Sequence, residues 1–208
     1  MEKRAYEIRS VVDGEVAIKI IPGHFATRHS HVNSCIDMTG IKSDLVSAKA
    51  AAKLFCNAFS STPVDTIITL DRMKMVGAFL AHYLSHSQLN NGQNIGVISP
   101  EIQNDKLLLR DNFLPYVQNK NVLLLTASAT TGKDANSVVE GIRYYGGTPV
   151  GVATVFGGEF DCSVPVIKLF GSEDVSGYSS FLPTNCPMCR EGIKVDAVVN
   201  SYGYSKIL

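Results

Sequence analysis

The chain has 208 residues, 45 % hydrophobic and 18 % charged, with 19 Lys plus Arg balanced by 19 Asp plus Glu. That composition supports a buried core and excludes an extensively disordered chain. Charge neutrality argues against a nucleic-acid binder, which needs a basic footprint, and no apolar run nears the roughly 18 residues that would span a bilayer. The opening Met1-Glu2-Lys3-Arg4-Ala5-Tyr6-Glu7-Ile8-Arg9-Ser10 has no apolar stretch of the signal-peptide kind, so a cytoplasmic protein with no membrane partner is expected. Five cysteines (Cys35, Cys56, Cys162, Cys186, Cys189) form a sparse odd set, consistent with reduced thiols rather than a disulfide framework.

In chain order, Leu45, Ala48, Ala52, Phe55 and Phe59 recur at helical spacing within residues 43–59, with Ser43 as N-cap. Residues 64–69 read as a buried strand, and Val76, Phe79, Leu80, Tyr83 and Leu84 as the apolar face of a second helix. Residues 95–99 form a third element stopped by Pro100, and a long excursion then runs to Lys120, with Leu107-Leu108-Leu109 as a possible short strand. Val122-Leu123-Leu124-Leu125 is a short, continuously apolar strand entering a loop of small residues. Residues 135–145 read as a helix ended by Gly146-Gly147, and residues 149–155 as the next strand. Alternation of strands and helices predicts an α/β fold with a doubly wound, mainly parallel sheet, its ligands beyond the carboxyl ends of the strands.

The segment Thr126-Ala127-Ser128-Ala129-Thr130-Thr131-Gly132-Lys133-Asp134 joins the apolar strand to a helix. Small residues let successive amides converge on an anion at a helix N-terminus. It is not a nucleotide-triphosphate P-loop: Ala127 stands at the first glycine position and Asp134 at that of the metal-binding hydroxyl. No Gly-x-Gly-x-x-Gly follows a strand.

Val122-Leu123-Leu124-Leu125 followed by Thr130-Thr131-Gly132 resembles the phosphoribosyl-pyrophosphate motif of type I phosphoribosyltransferases. Gly23-His24-Phe25-Ala26-Thr27-Arg28-His29-Ser30-His31 and Ile36-Asp37 are similar to the base-covering segment of orotate phosphoribosyltransferases, and Cys186-Pro187-Met188-Cys189-Arg190-Glu191-Gly192 to a tail found in some bacterial ones. The resemblance implies a single domain with a hood in residues 1–42, a core in 43–170 and a tail in 171–208. It further implies magnesium, phosphoribosyl pyrophosphate and a nitrogen base, orotate first, as partners of a homodimer. By position it assigns the phosphate to Ala129, Thr130, Thr131, Gly132, Lys133 and Asp134, and pyrophosphate to Asp71, Arg72, Met73 and Lys74. The ribose falls to Thr126 and Ala127, the base to Phe25, Arg28 and His31, and the transition-state cation to Arg110 or Lys106 from the excursion. Read plainly, Arg110 instead pairs with Asp111 or Glu101.

The sequence departs from the motif where it matters most. Thr126 and Ala127 replace its two acids, Asp134 replaces a hydroxyl residue, and residues 101–120 lack the His and Gly of the family's mobile loop. A phosphoribosyl-binding regulatory module without catalysis is therefore the alternative reading. Cys186 and Cys189 are zinc candidates that lack two further ligands. The histidines at 24, 29 and 31 are read as substrate contact or packing rather than metal ligands, and His82 and His86 as surface residues. Tyr202 and Tyr204 are candidates for covering an interface.

Overall fold

The computed structural model describes residues 2–207. The chain opens with β1 (Tyr6–Arg9), β2 (Ala17–Ala26) and β3 (His31–Asp37), an antiparallel set. Two helices come next, α1 (Thr39–Ser43) and α2 (Leu45–Phe59). The N-cap of α2 is Asp44, whose carboxylate accepts from Ser47 N at 2.9 Å. Ser43, expected in that role, closes α1 instead, because the chain turns once more before α2 starts. Ala48, Ala52, Phe55 and Phe59 are buried as their spacing requires, whereas Leu45 is 56 % exposed, lying in the first turn before the helix reaches the core.

The core alternates β4 (Thr66–Thr69), α3 (Lys74–Leu84), β5 (Gly96–Ile98), β8 (Asn121–Ala129), α4 (Lys133–Tyr144), β9 (Thr148–Gly157) and β10 (Val166–Gly171), with a hairpin of β6 (Glu101–Gln103) and β7 (Lys106–Leu108) and a 3₁₀ turn (Asp111–Tyr116) between β5 and β8. The excursion expected to be irregular is thus a folded hairpin whose Leu107 is buried. All pairings in the five-stranded sheet are parallel, in the order β10-β9-β8-β4-β5. One face of the sheet (Ile67, Leu123, Leu125, Val155) packs with α2 and α3; the other (Ile68, Val122, Leu124, Val152) packs with Ala135, Val138 and Ile142 of α4. Alternate residues of one strand feed opposite clusters, as burial on both faces demands.

Chain progression moves from β4 outward to β5, then returns to the other side of β4 with β8. The direction of winding therefore reverses between β4 and β8, and the crevice beyond their carboxyl ends is where such sheets bind ligands.

The tail adds β11 (Ser180–Phe181), α5 (Pro187–Arg190), β12 (Ala197–Asn200) and β13 (Gly203–Lys206). Its strands complete the hood sheet: β11 pairs with β3, and β12 lies parallel to β2. Hood and tail are one structural layer although they occupy opposite ends of the sequence. No helix among the described residues is long and apolar enough to cross a membrane.

Candidate functional site

Beyond Ala129 the chain bends through residues 130–132 and enters α4 at Gly132, whose φ of 70° lies in the left-handed region. A Cβ there would also sit 2.2 Å from the Phe160 ring, so glycine meets both a conformational and a steric demand. The first helical bond of α4 runs from Asn136 N to the Gly132 carbonyl at 2.8 Å. The amides of Lys133, Asp134 and Ala135 thus precede the helical ladder and join the positive end of the helix. Just past the end of β9, Gly158 closes the back of this cup. Its amide donates to the Ala129 carbonyl at 3.0 Å, and a Cβ on it would lie 2.3 Å from the Thr130 carbonyl oxygen.

After β4, Asp71 and Arg72 are successive non-glycine residues in the left-handed region, with φ of 51° and 65°. Such a conformation costs energy and persists only where the surroundings impose it. The constraint is visible in the Asp71 carboxylate: its Oδ2 accepts from the Thr126 hydroxyl at 2.6 Å and from Ala127 N at 3.3 Å. A carboxylate from the β4–α3 turn therefore occupies the neighbourhood of the two positions where the motif's own acids are missing. Sequence reasoning misses this contact, because the partners lie 55 residues apart and the turn has no glycine to mark its geometry.

Of the other residues assigned to that turn, Met73 is fully buried and packs in the core, while Lys74 is exposed at the start of α3. The Arg72 guanidinium lies 4.9 Å from the Tyr202 ring centroid, a cation–π contact that fixes its direction. Lys42, which no sequence signal singles out, donates to the Ser201 carbonyl at 3.2 Å. Burial pushes its ammonium below the usual lysine value, while the carboxylates of Asp71 and Asp37 oppose that shift.

Arg28 and Lys133 both pair with Asp105 at the hairpin tip, at 3.1 and 3.0 Å. The Lys133 hydrogen bond, with the charges of Arg28 and His29 adding, holds the Asp105 carboxyl below the ordinary aspartate value. A lowered folded-state value means that this docking is at full strength above the unfolded-state value and is lost as pH falls through the lowered one. Hydrogen-exchange protection of residues 101–108 is therefore expected to hold at neutral pH and to decline below about pH 4. Asp105→Asn should lower that protection several-fold at neutral pH, the Ser137 hydroxyl still donating to the residue 105 carbonyl. Unchanged protection in the variant would contradict the docking.

Arg110 pairs with Glu101 at 3.0 Å on the exposed hairpin. Lys106 lines a cleft of about 640 Å³ beside Ser137, Glu140 and Tyr144, on the outer flank of α4. Phe25 is fully buried in the hood core with Ile21, Val32 and Cys35, so its ring is spent on packing. The His31 ring contacts His24 and Cys189. Burial, helped by His24, holds His31 below the ordinary histidine value.

No protein-family model matches the sequence. The chain is 28 % identical over 147 residues to an orotate phosphoribosyltransferase of Caldicellulosiruptor bescii, covering 69 % of this chain and 73 % of the relative. Its fold is similar to that of the Aeropyrum pernix orotate phosphoribosyltransferase, with a TM-score of 0.55, 18 % identity and coverage of 74 % and 88 % of the two chains. The Mycobacterium tuberculosis orotate phosphoribosyltransferase in complex with 5-phospho-α-D-ribosyl 1-diphosphate gives 0.50, 16 %, 68 % and 82 %. The chain has the type I phosphoribosyltransferase fold, and its sequence resembles bacterial orotate phosphoribosyltransferases.

Proposed function

We propose that this chain transfers the phosphoribosyl group of phosphoribosyl pyrophosphate to a nitrogen base, orotate first, releasing pyrophosphate, and that it works as a cytoplasmic homodimer. The reading is carried by the Asp71 carboxylate, hydrogen-bonded to Thr126 and Ala127 next to the residue 130–134 cup. In this reading the cup amides and the Thr130 and Thr131 hydroxyls hold the 5-phosphate, with Lys133 adding charge once Asp105 releases it. Asp71 faces the ribose, accepts from its hydroxyls and offsets the positive charge that grows on the sugar as the bond to pyrophosphate breaks. Arg72, Lys42 and Lys74 supply cations for the leaving group. Asp71 would be the residue to hold a magnesium ion, since its hard carboxylate oxygens suit one, and the ion would supply charge neutralisation for the leaving group. The exposed guanidinium of Arg28 suits the carboxylate of orotate, while Phe25 and His31 shape the strands that present it.

Ala127 favours a second reading, a phosphoribosyl-binding regulatory module, because a methyl group offers the sugar nothing. The two separate in one experiment. Purified protein with phosphoribosyl pyrophosphate, magnesium and a panel of bases is expected to release pyrophosphate fastest with orotate. Turnover with another base would reassign the acceptor. Calorimetric binding of phosphoribosyl pyrophosphate without turnover would leave the regulatory reading, and absence of binding would overturn both.

A further inference from the structure

The hood and the tail meet at a cluster outside the phosphoribosyl site. His24 on β2 and His31 on β3 converge with Cys186 and Cys189, which flank the start of α5, so that one ligand atom from each lies within 4.8 Å of every other. His24 Nε2 is 2.9 Å from His31 Nδ1, 3.5 Å from Cys186 Sγ and 3.6 Å from Cys189 Sγ; His31 Nδ1 is 3.2 Å from Cys189 Sγ. A tetrahedron built on zinc with ordinary bond lengths has edges of roughly 3.3 Å between nitrogens and roughly 3.5 Å between nitrogen and sulfur. The nitrogen–nitrogen edge and three nitrogen–sulfur edges match these lengths to within about 0.4 Å, and the other two edges lie within 4.8 Å.

We propose that His24, His31, Cys186 and Cys189 form a tetrahedral Cys₂His₂ site for a zinc-class divalent cation that fastens the C-terminal tail to the hood sheet.

Three local features support it. The Ile193 carbonyl lies 2.8 Å from His24 Nδ1; this fixes Nδ1–H as the donor and turns the Nε2 lone pair toward the cluster, the outer contact that metal-bound histidines make. Cys186 is extended at the N-cap of α5, Pro187 starts the single helical turn, and Gly192 ends it at φ 72°, its amide donating to the Cys189 carbonyl. That tight turn brings both thiols to one side. The β2 register shifts between Pro22 and Phe25, and this bulge lets both His24 and Phe25 point inward. His24 and Cys186 are each 1 % exposed while Cys189 is exposed, so the cluster has a dry base and an open entrance.

The site also reaches the pyrophosphate turn, since the fastened tail carries Tyr202 onto Arg72 and Ser201 onto Lys42. Metal binding itself does not depend on the proposed reaction.

The test uses the full chain, stripped of metal with a chelator and titrated with Co²⁺ and then Zn²⁺. About one equivalent of Co²⁺ should bind, giving the visible bands of a tetrahedral ion and thiolate-to-cobalt charge transfer, and Zn²⁺ should displace it. Cys189→Ser and His31→Ala should each weaken Zn²⁺ binding by at least about a hundredfold, since loss of an outer-shell partner alone costs up to that much. Cys162→Ser should leave binding unchanged. Should a variant fail to fold, the wild-type titration decides alone. Absence of charge transfer with free thiols, or a Cys186–Cys189 disulfide in protein purified under reducing conditions, would overturn the site.

Discussion

Asp71→Asn is expected to lower turnover with phosphoribosyl pyrophosphate and orotate by ten- to about a hundredfold, with little change in stability. The substitution keeps an oxygen to accept from the Thr126 hydroxyl, now at 2.6 Å, but removes the charge. A charge-assisted hydrogen bond contributes roughly 1.5–3 kcal/mol, and each 1.4 kcal/mol lost from the transition state is about tenfold in rate. The double change Asp71→Asn, Thr126→Asp moves the carboxylate to the strand position and should recover most of the rate. Thr126→Asp alone should give no gain, because two carboxylates at hydrogen-bond distance cannot both stay ionised. Steady-state pyrophosphate release measures all three variants. Acceleration by Thr126→Asp alone, or no loss with Asp71→Asn, would show that Asp71 does not serve the missing acids.

Gly158→Ala should damage phosphate binding more than its size suggests. The added methyl would meet the Thr130 carbonyl oxygen at 2.3 Å, and backbone cannot rotate away as a flexible side chain can. The cup must open or the strand must shift, a cost of about 1–3 kcal/mol of stability. Affinity for phosphoribosyl pyrophosphate should fall about tenfold or more, equivalent to about 1.4 kcal/mol or above. Gly14→Ala, where an added Cβ meets nothing within 4 Å, is the matched control and should change neither quantity. Calorimetry and denaturant unfolding read both effects; unchanged affinity in Gly158→Ala would place the ligand elsewhere.

The parallel core was legible because its signals are local. Val122 to Leu125 is an unbroken apolar run, and Ala135, Val138, Val139 and Ile142 keep helical spacing into the opposite cluster. The hood was harder to read: β2 buries adjacent residues on both sides of its bulge, which breaks the alternation that marks a half-buried strand. The four residues of β12 take their place only by pairing with β2 across nearly the whole length of the chain, and β13 then follows as the second arm of a local hairpin. The site divides in the same way. The cup follows from the run of small residues around Gly132, whereas Asp71 beneath Thr126, Asp105 against Lys133 and the union of His24 and His31 with Cys186 and Cys189 are contacts between distant segments. Spacing within one segment carries no trace of them. A cysteine pair two residues short of a ligand set and a histidine pair that reads as substrate contact or packing become one cluster only when β2, β3 and α5 are brought together.

Under the proposed function, amides of residues 130–134 grip a ribose-linked phosphate. The most direct measurement is a titration of ¹⁵N-labelled protein with phosphoribosyl pyrophosphate and magnesium, tracking each backbone amide. Large, saturable shifts at Thr130, Thr131, Gly132, Lys133 and Asp134, with matching changes at Asp71 and Arg72, are the predicted result. Shifts confined to the Lys106 and Tyr144 cleft, with the cup unmoved, would contradict it.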